Sequence, residues 1–126
     1  MIRQQLMIPE ERVALDLDQL SVVCAGFDPD APEACLAAAL EQLALDLAAV
    51  EAAWRGDDAR GMARALQDVE ACAGALGMVK LAAVAGAVRD TLSAGDGVAL
   101  AATLARLLRV GERSLVAVWE TGALIG

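Results

Sequence analysis

The stretch LQDVEACAGALG at residues 66–77 indicates the fold of this chain. At about 100° per residue, as in an α-helix, its apolar side chains and those just before it share one side: Met62, Ala65, Leu66, Val69, Ala73 and Leu76. The opposite side carries Gln67, Ala71 and Gly74, where a solvated helix face normally carries Glu, Lys and Arg. Arg60 and Arg64 precede them on that side. The pattern predicts an amphipathic helix with a smooth outer face.

The composition extends the helical prediction to the whole chain. Of the 126 residues 58% are hydrophobic but only 2% are aromatic, so the apolar content is mainly Ala, Leu and Val. Ala and Leu lose little conformational freedom in a helix, and small Ala side chains let helices pack closely. No alternating pattern indicates a strand. The length suits one domain over residues 1–126, with a core from about residue 10 to 120 and apolar terminal tails.

Turn residues divide the chain into five predicted helices, at about residues 9–25, 31–56, 58–77, 79–93 and 98–120. Their predicted N-caps include Asp30, either Asp57 or Asp58, and Asp96. Short connections between helices force antiparallel neighbours. We therefore expect an all-α fold, an antiparallel up-down four-helix bundle with an additional N-terminal helix.

The charge excludes several classes of partner. The formal net charge is −8 and the isoelectric point is about 4.3, which opposes binding to nucleic acids and to anionic membrane surfaces. The mean hydropathy is high at +0.52, but no apolar run approaches the about 20 residues of a membrane helix. The first residues lack the apolar stretch of a secretory signal. We expect a cytoplasmic protein.

The chain contains no histidine, which excludes imidazole-based catalysis and His-ligated metals. Its three cysteines, Cys24, Cys35 and Cys72, show no C-x-x-C spacing and are predicted to be reduced, buried thiols. No set of nucleophile, base and orienting group is apparent. We predict no catalytic residue, cofactor or metal site, and therefore no enzyme.

Two interpretations fit Gly74 in the predicted third helix. A glycine within a helix costs about 1 kcal/mol relative to alanine, so it either begins to unwind the helix towards Gly77 or serves another purpose. In the second interpretation, the small residues around Gln67 allow the backbone of another protein to approach closely.

The same stretch resembles the phosphotransfer helix of histidine-containing phosphotransfer (HPt) domains, whose pattern is roughly H-x-L-K-G-x-x-x-x-L-G. Aligning Leu76 and Gly77 with the final L-G places Gln67 at the phospho-accepting histidine, Glu70 at the lysine and Ala71 at the glycine. Three other segments resemble the family's entry helix, the acidic turn before the phosphotransfer helix and the turn before the last helix: residues 15–20, 55–58 and 94–96.

The resemblance implies a helical bundle that relays phosphoryl groups to and from receiver domains in two-component signalling. An amide such as Gln67 cannot form the phosphoramidate that an imidazole forms. Glu70 would lie about 5–6 Å from the side chain at position 67 and would repel a dianionic phosphoryl group by roughly 1.4 kcal/mol. We therefore expect a non-catalytic HPt-like module that docks a response-regulator receiver domain or a histidine kinase. The predicted docking residues are Arg64, Gln67, Glu70, Ala71 and Gly74.

The alternative is a structural bundle, unrelated to phosphorelay, that acts through self-association. The apolar residues at the two ends of the chain would then form a homodimer contact: Met1, Ile2, Leu6, Met7, Ile8, Leu124 and Ile125.

Overall fold

The computed structural model of the protein describes residues 32–120, and this part of the chain is helical apart from short turns. It contains four helices: α1 (Pro32–Arg55), α2 (Ala59–Ala75), α3 (Val79–Ala94) and α4 (Gly97–Glu120). No strand occurs among these residues, so the all-α prediction is confirmed for them. None of the four helices combines the length and the apolarity needed to cross a membrane. The first predicted helix, at 9–25, and both terminal tails lie outside the described residues.

The four helices form a bundle whose contacts follow the order of the chain. Helix α1 packs on α2, α2 on α3 and α3 on α4, and α4 also contacts α1. The connecting segments are short, at residues 56–58, 76–78 and 95–96. Helix α2 is therefore flanked by α1 and α3, and one of its sides faces away from the bundle.

Two predicted helix N-caps are confirmed. The Asp58 carboxylate accepts a hydrogen bond from the Gly61 N–H at 2.9 Å, and that of Asp96 accepts one from the Ala99 N–H at 3.0 Å. Each bond satisfies one of the N–H groups that have no partner within the first turn of a helix. Asp57, the other candidate, lies in the turn with φ of 56°, a left-handed conformation that Asp tolerates better than most residues.

Helix α2 ends with a glycine in the left-handed conformation, Gly77 with φ of 75°. The Met78 N–H donates to the Ala73 carbonyl at 2.8 Å, and the Gly77 N–H donates to the Gly74 carbonyl at 3.1 Å. This pair of bonds is the Schellman arrangement, which satisfies carbonyls left over at a helix end. The helix thus stops at Gly77, and Gly74 is still helical.

The core consists of the apolar faces that the sequence pattern predicts. Its most deeply buried large side chains include one or more from every helix: Leu43, Val50, Met62, Leu66, Val69, Leu81 and Leu107. Helices α1 and α4 approach closely where Leu47 packs on Gly111. A Cβ atom at position 111 would lie 2.7 Å from Leu47 Cδ1, so any larger residue there would force the Leu47 side chain to shift.

One end of the bundle is loosely filled. Trp54, which continues the apolar series of α1, is 42% exposed, and Leu92 and Leu100 are half-buried. With Met62 these side chains line a cavity of about 50 Å³ beside the turn that joins α1 to α2. The apolar series reaches the last turn of the helix, where neighbouring helices no longer cover it.

Candidate docking surface

The side of α2 that faces away from the bundle carries Arg60, Arg64, Gln67, Ala71 and Gly74, all of them exposed. We refer to these five residues as the outer face of α2. Met62, Ala65, Leu66, Val69 and Ala73 are buried on the opposite side of the helix. Gln67 therefore lies near the middle of the exposed side of α2. The residues beside it are small towards the C-terminal end of the helix (Ala71 and Gly74) and long towards the N-terminal end (Arg60 and Arg64).

Gly74 has no structural reason within the described residues to be glycine. A Cβ atom at this position would have no atom within 4 Å, apart from the helix's own backbone. Its φ is not positive, so the backbone does not require glycine either. Gly74 is still helical, and its carbonyl accepts one of the hydrogen bonds that end the helix, a contact that does not depend on which side chain the residue carries.

Glu70, the remaining predicted docking residue, does not project alongside Gln67. Its side chain extends across to α3 and forms an ion pair with Arg89, with 3.1 Å between Glu70 Oε2 and Arg89 Nε. Arg89 Nη2 also donates a hydrogen bond to Glu70 Oε1 at 3.3 Å. Glu70 Oε2 is buried and accepts no hydrogen bond from the described residues, so its contact with Arg89 is electrostatic only. The pair is partly buried, with the two side chains 38% (Arg89) and 26% (Glu70) exposed.

Gly86 of α3 leaves the space in which the Glu70 carboxylate lies. A Cβ atom at position 86 would be 3.2 Å from Glu70 Oε1, which is tighter than ordinary van der Waals contact. Gly86 and Arg89 are three residues apart and therefore lie on the same side of α3. Helix α3 thus provides both a gap and a cation for a side chain of α2.

This arrangement corrects the electrostatic expectation drawn from the sequence. The sequence alone indicates an uncompensated negative charge at Glu70, but Arg89 supplies a positive charge in direct contact with it. The pair has no net charge, so we expect less repulsion of a phosphoryl group at position 67 than the sequence indicates. The pattern of α2 alone could not reveal the cation, because it comes from the neighbouring helix.

Cys72 lies at the border between the core and the surface, on the side of α2 that faces α1. It is half-buried, and its Sγ donates a hydrogen bond to the Ala39 carbonyl at 3.6 Å. Burial raises the pKa of the Cys72 thiol, and the Asp46 carboxylate raises it further. The thiol therefore stays protonated near neutral pH and is a poor nucleophile.

The described residues offer no other obvious centre for chemistry. Among residues 32–120, no three His, Cys, Asp or Glu side chains lie close enough together to bind a metal ion. The cavity near Trp54 is small, at about 50 Å³, and most of its lining residues are apolar. The outer face of α2 is the surface that the sequence pattern predicts as a docking site.

Comparisons with known proteins find no family model, no curated protein and no solved structure that matches the chain.

Proposed function

We propose that this chain is a non-catalytic, HPt-like interaction module of two-component signalling. It would dock a response-regulator receiver domain, or a histidine kinase, and compete with a true phosphotransfer protein. The observation that carries the proposal is the exposed glycine in α2. Among the described residues, a Cβ atom added at Gly74 would meet no atom within 4 Å, and the backbone there needs no special conformation, so a docked protein surface is the use of this glycine that we propose.

The position of Gln67 supports the same proposal. It is exposed in the middle of α2, where the family resemblance places the phospho-accepting histidine. Ala71, one turn further on, is also exposed and small, which leaves room for the surface of another protein. The shape suited to docking is therefore present together with a residue that cannot accept a phosphoryl group.

The absence of transfer chemistry follows from the side chains. The chain has no histidine at any position, so no imidazole can carry a phosphoryl group. Cys72 is on the α1 side of the helix, and burial keeps its thiol protonated. A module of this kind acts by occupying its partner in the cytoplasm, and not as an enzyme.

The finer architecture is part of the proposal. We infer that the four helices run antiparallel, up and down, because each connection between them has only two or three residues. The additional helix predicted at residues 9–25 would lie along α1, whose outward side is unusually rich in exposed apolar residues: Ala44, Leu45, Ala48, Ala49 and Ala52.

The experiment compares three tryptophan variants in binding to the receiver domains of the source genome. Ala71→Trp and Gly74→Trp place a bulky ring on the outer face, and Ala102→Trp places the same ring at an exposed position of α4. Binding measured by calorimetry should be lost in the first two variants and kept in the third, with all three folded by circular dichroism. If both Ala71→Trp and Gly74→Trp still bind every receiver domain that the unchanged chain binds, this assignment of the site is wrong.

A further inference from the structure

Two arginines of the outer face have no counter-ion among the described residues. Arg60 and Arg64 are both exposed and lie one helical turn apart. Neither forms an ion pair within residues 32–120. Acidic residues are nearby in the sequence, since Asp57 precedes Arg60 by three residues and Asp68 follows Arg64 by four. Neither carboxylate comes within 4.0 Å of these guanidinium groups.

The placement of the two arginines is unfavourable for the helix itself. Arg60 lies in the first turn of α2, where the positive end of the helix dipole repels a cation. Arg60 and Arg64 are four residues apart, a spacing at which like charges repel each other. Arg64 is N-terminal to Asp68, and at this spacing a cation placed N-terminal to an anion attracts it more weakly than the reverse arrangement does. The electrostatics of α2 therefore do not favour arginine at these two positions.

The neighbouring carboxylate on α2 is also engaged elsewhere. Glu70 lies over Gly86 and is paired with Arg89 of α3, so it does not compensate the arginines. Two uncompensated cations on one side of a single helix contrast with a chain whose formal net charge is −8. Local rules broken together at one surface are typical of a functional site.

We propose that the partner of this face is a protein with an acidic surface, whose carboxylates lie opposite Arg60 and Arg64. This inference rests on the proposed docking function and adds the chemistry of the partner to it. The partner's carboxylates would contact the N-terminal end of the outer face. Its uncharged part would pack closely on Ala71 and Gly74. A guanidinium group can bind a carboxylate through two parallel hydrogen bonds, which would fix the register of the partner on α2.

The first experiment reverses the two charges in the full chain. Arg60→Glu/Arg64→Glu is compared with Arg106→Glu/Arg109→Glu, which makes the same change in net charge at two exposed positions of α4. Affinity for the receiver domains is measured in about 50 mM and about 200 mM NaCl, because added salt screens exposed charges. We expect the first variant to lose about tenfold or more in affinity at low salt and the control to stay within about twofold.

The outcomes separate this inference from the proposed function. If Arg60→Glu/Arg64→Glu binds as tightly as the unchanged chain while Ala71→Trp abolishes binding, the acidic-partner inference is wrong and the docking function stands. If charge reversal weakens binding but Ala71→Trp does not, the inference stands and the assignment of the small residues to the contact is wrong. An equal loss in the α4 control would show a general charge effect and would overturn the inference.

A second measurement decides the inference even when no receiver domain binds. The 15N-labelled chain is titrated with a synthetic peptide rich in Asp and Glu, and the side-chain Nε–H signals of its arginines are followed by NMR. We expect the signals of Arg60 and Arg64 to shift well before those of Arg106 and Arg109. Shifts spread evenly over all four signals, or no shift at all, would contradict a site for acidic groups at this end of α2.

Discussion

Glu70 of α2 and Arg89 of α3 form an ion pair, with 3.1 Å between Oε2 and Nε, that crosses from one helix to the next above Gly86. The contact lies one turn from Gln67, where a phosphotransfer protein would carry its histidine. The pairing draws the Glu70 carboxylate away from the outer face of α2 and towards Arg89 of α3. The outer face of α2 consequently has an uncharged centre, with its cations at one end.

The first prediction concerns the charge balance at position 67. In a Gln67→His background, Arg89→Ala leaves Glu70 uncompensated, whereas Glu70→Ala releases the guanidinium of Arg89. We expect phosphorylation by the small donor phosphoramidate to be slower in Gln67→His/Arg89→Ala and faster in Gln67→His/Glu70→Ala than in Gln67→His. The Coulomb energy between Glu70 and a phosphoryl group on position 67 allows the phosphorylation rate to change by up to about tenfold in each direction.

A small donor is used because its reaction does not depend on docking of a receiver domain. The rates are followed by mass spectrometry of the intact chain, and the unchanged chain serves as the blank. Equal rates in all three histidine variants would show that the Glu70–Arg89 pair has no influence on position 67. Glu70→Lys is a poorer test, since the new lysine would lie against Arg89 and repel it.

The second prediction compares two glycines that differ in their surroundings. Gly74→Ala adds a methyl group that would meet no atom of the described residues within 4 Å outside its own helix, so the free energy of unfolding should rise by about 0.5–1 kcal/mol through helix propensity. Gly111→Ala adds a methyl group 2.7 Å from Leu47 and should lower it by about 1–3 kcal/mol. Urea unfolding followed by circular dichroism measures both. Destabilisation by Gly74→Ala would mean that this glycine has a role inside the fold.

The third prediction concerns pH. Burial raises the pKa of Cys72 in the folded chain, while the unfolded chain releases that proton at about pH 8.5. The stabilisation from the protonated thiol is therefore complete below that pH and decreases as the pH rises through the higher folded-state pKa. Unfolding free energies at about pH 7 and about pH 10 should differ less in Cys72→Ala than in the unchanged chain.

The matched control for Cys72 is the double variant Cys24→Ala/Cys35→Ala, which keeps the thiol of interest. Its free energy of unfolding should retain the part of the pH dependence that Cys72→Ala loses. An identical pH dependence in the Cys72→Ala variant and the unchanged chain would contradict a raised pKa for this thiol.

The fourth prediction separates the proposed function from self-association. The sequence-based alternative places a homodimer contact at the apolar chain ends, which lie outside the described residues. If docking through α2 is the function, a variant lacking residues 1–8 should keep the molar mass of the full chain in light scattering and should bind receiver domains unchanged. A fall from dimer to monomer mass, with loss of function, would favour the alternative.

The helices and the core were predictable from the sequence because both depend on local spacing. The inward series through Leu66 and Val69 and the caps at Asp58 and Asp96 are properties of single helices, and the structure confirms them. The cavity beside Trp54 was not predictable from the pattern of one helix, because it depends on how far neighbouring helices extend.

The surface was predictable only in part. A helical wheel of α2 identifies Gln67, Ala71 and Gly74 as one exposed side without any knowledge of the neighbours. The partner of Glu70 comes from α3, and no pattern within α2 could identify it. The spacing of Gly86 and Arg89 in the fourth predicted helix was the available signal, a small residue and a cation on one side of a helix that packs beside α2.

The Leu47 side chain of α1 fits into the gap that Gly111 leaves on the surface of α4. Sliding α4 by one turn, about 5.4 Å, would bring Leu107 or Leu115 to the place of Gly111, and neither leaves room for the Leu47 side chain. These two helices thus have a single longitudinal setting. A piston-like displacement of α4 along α1 would therefore have to break the contact between Leu47 and Gly111.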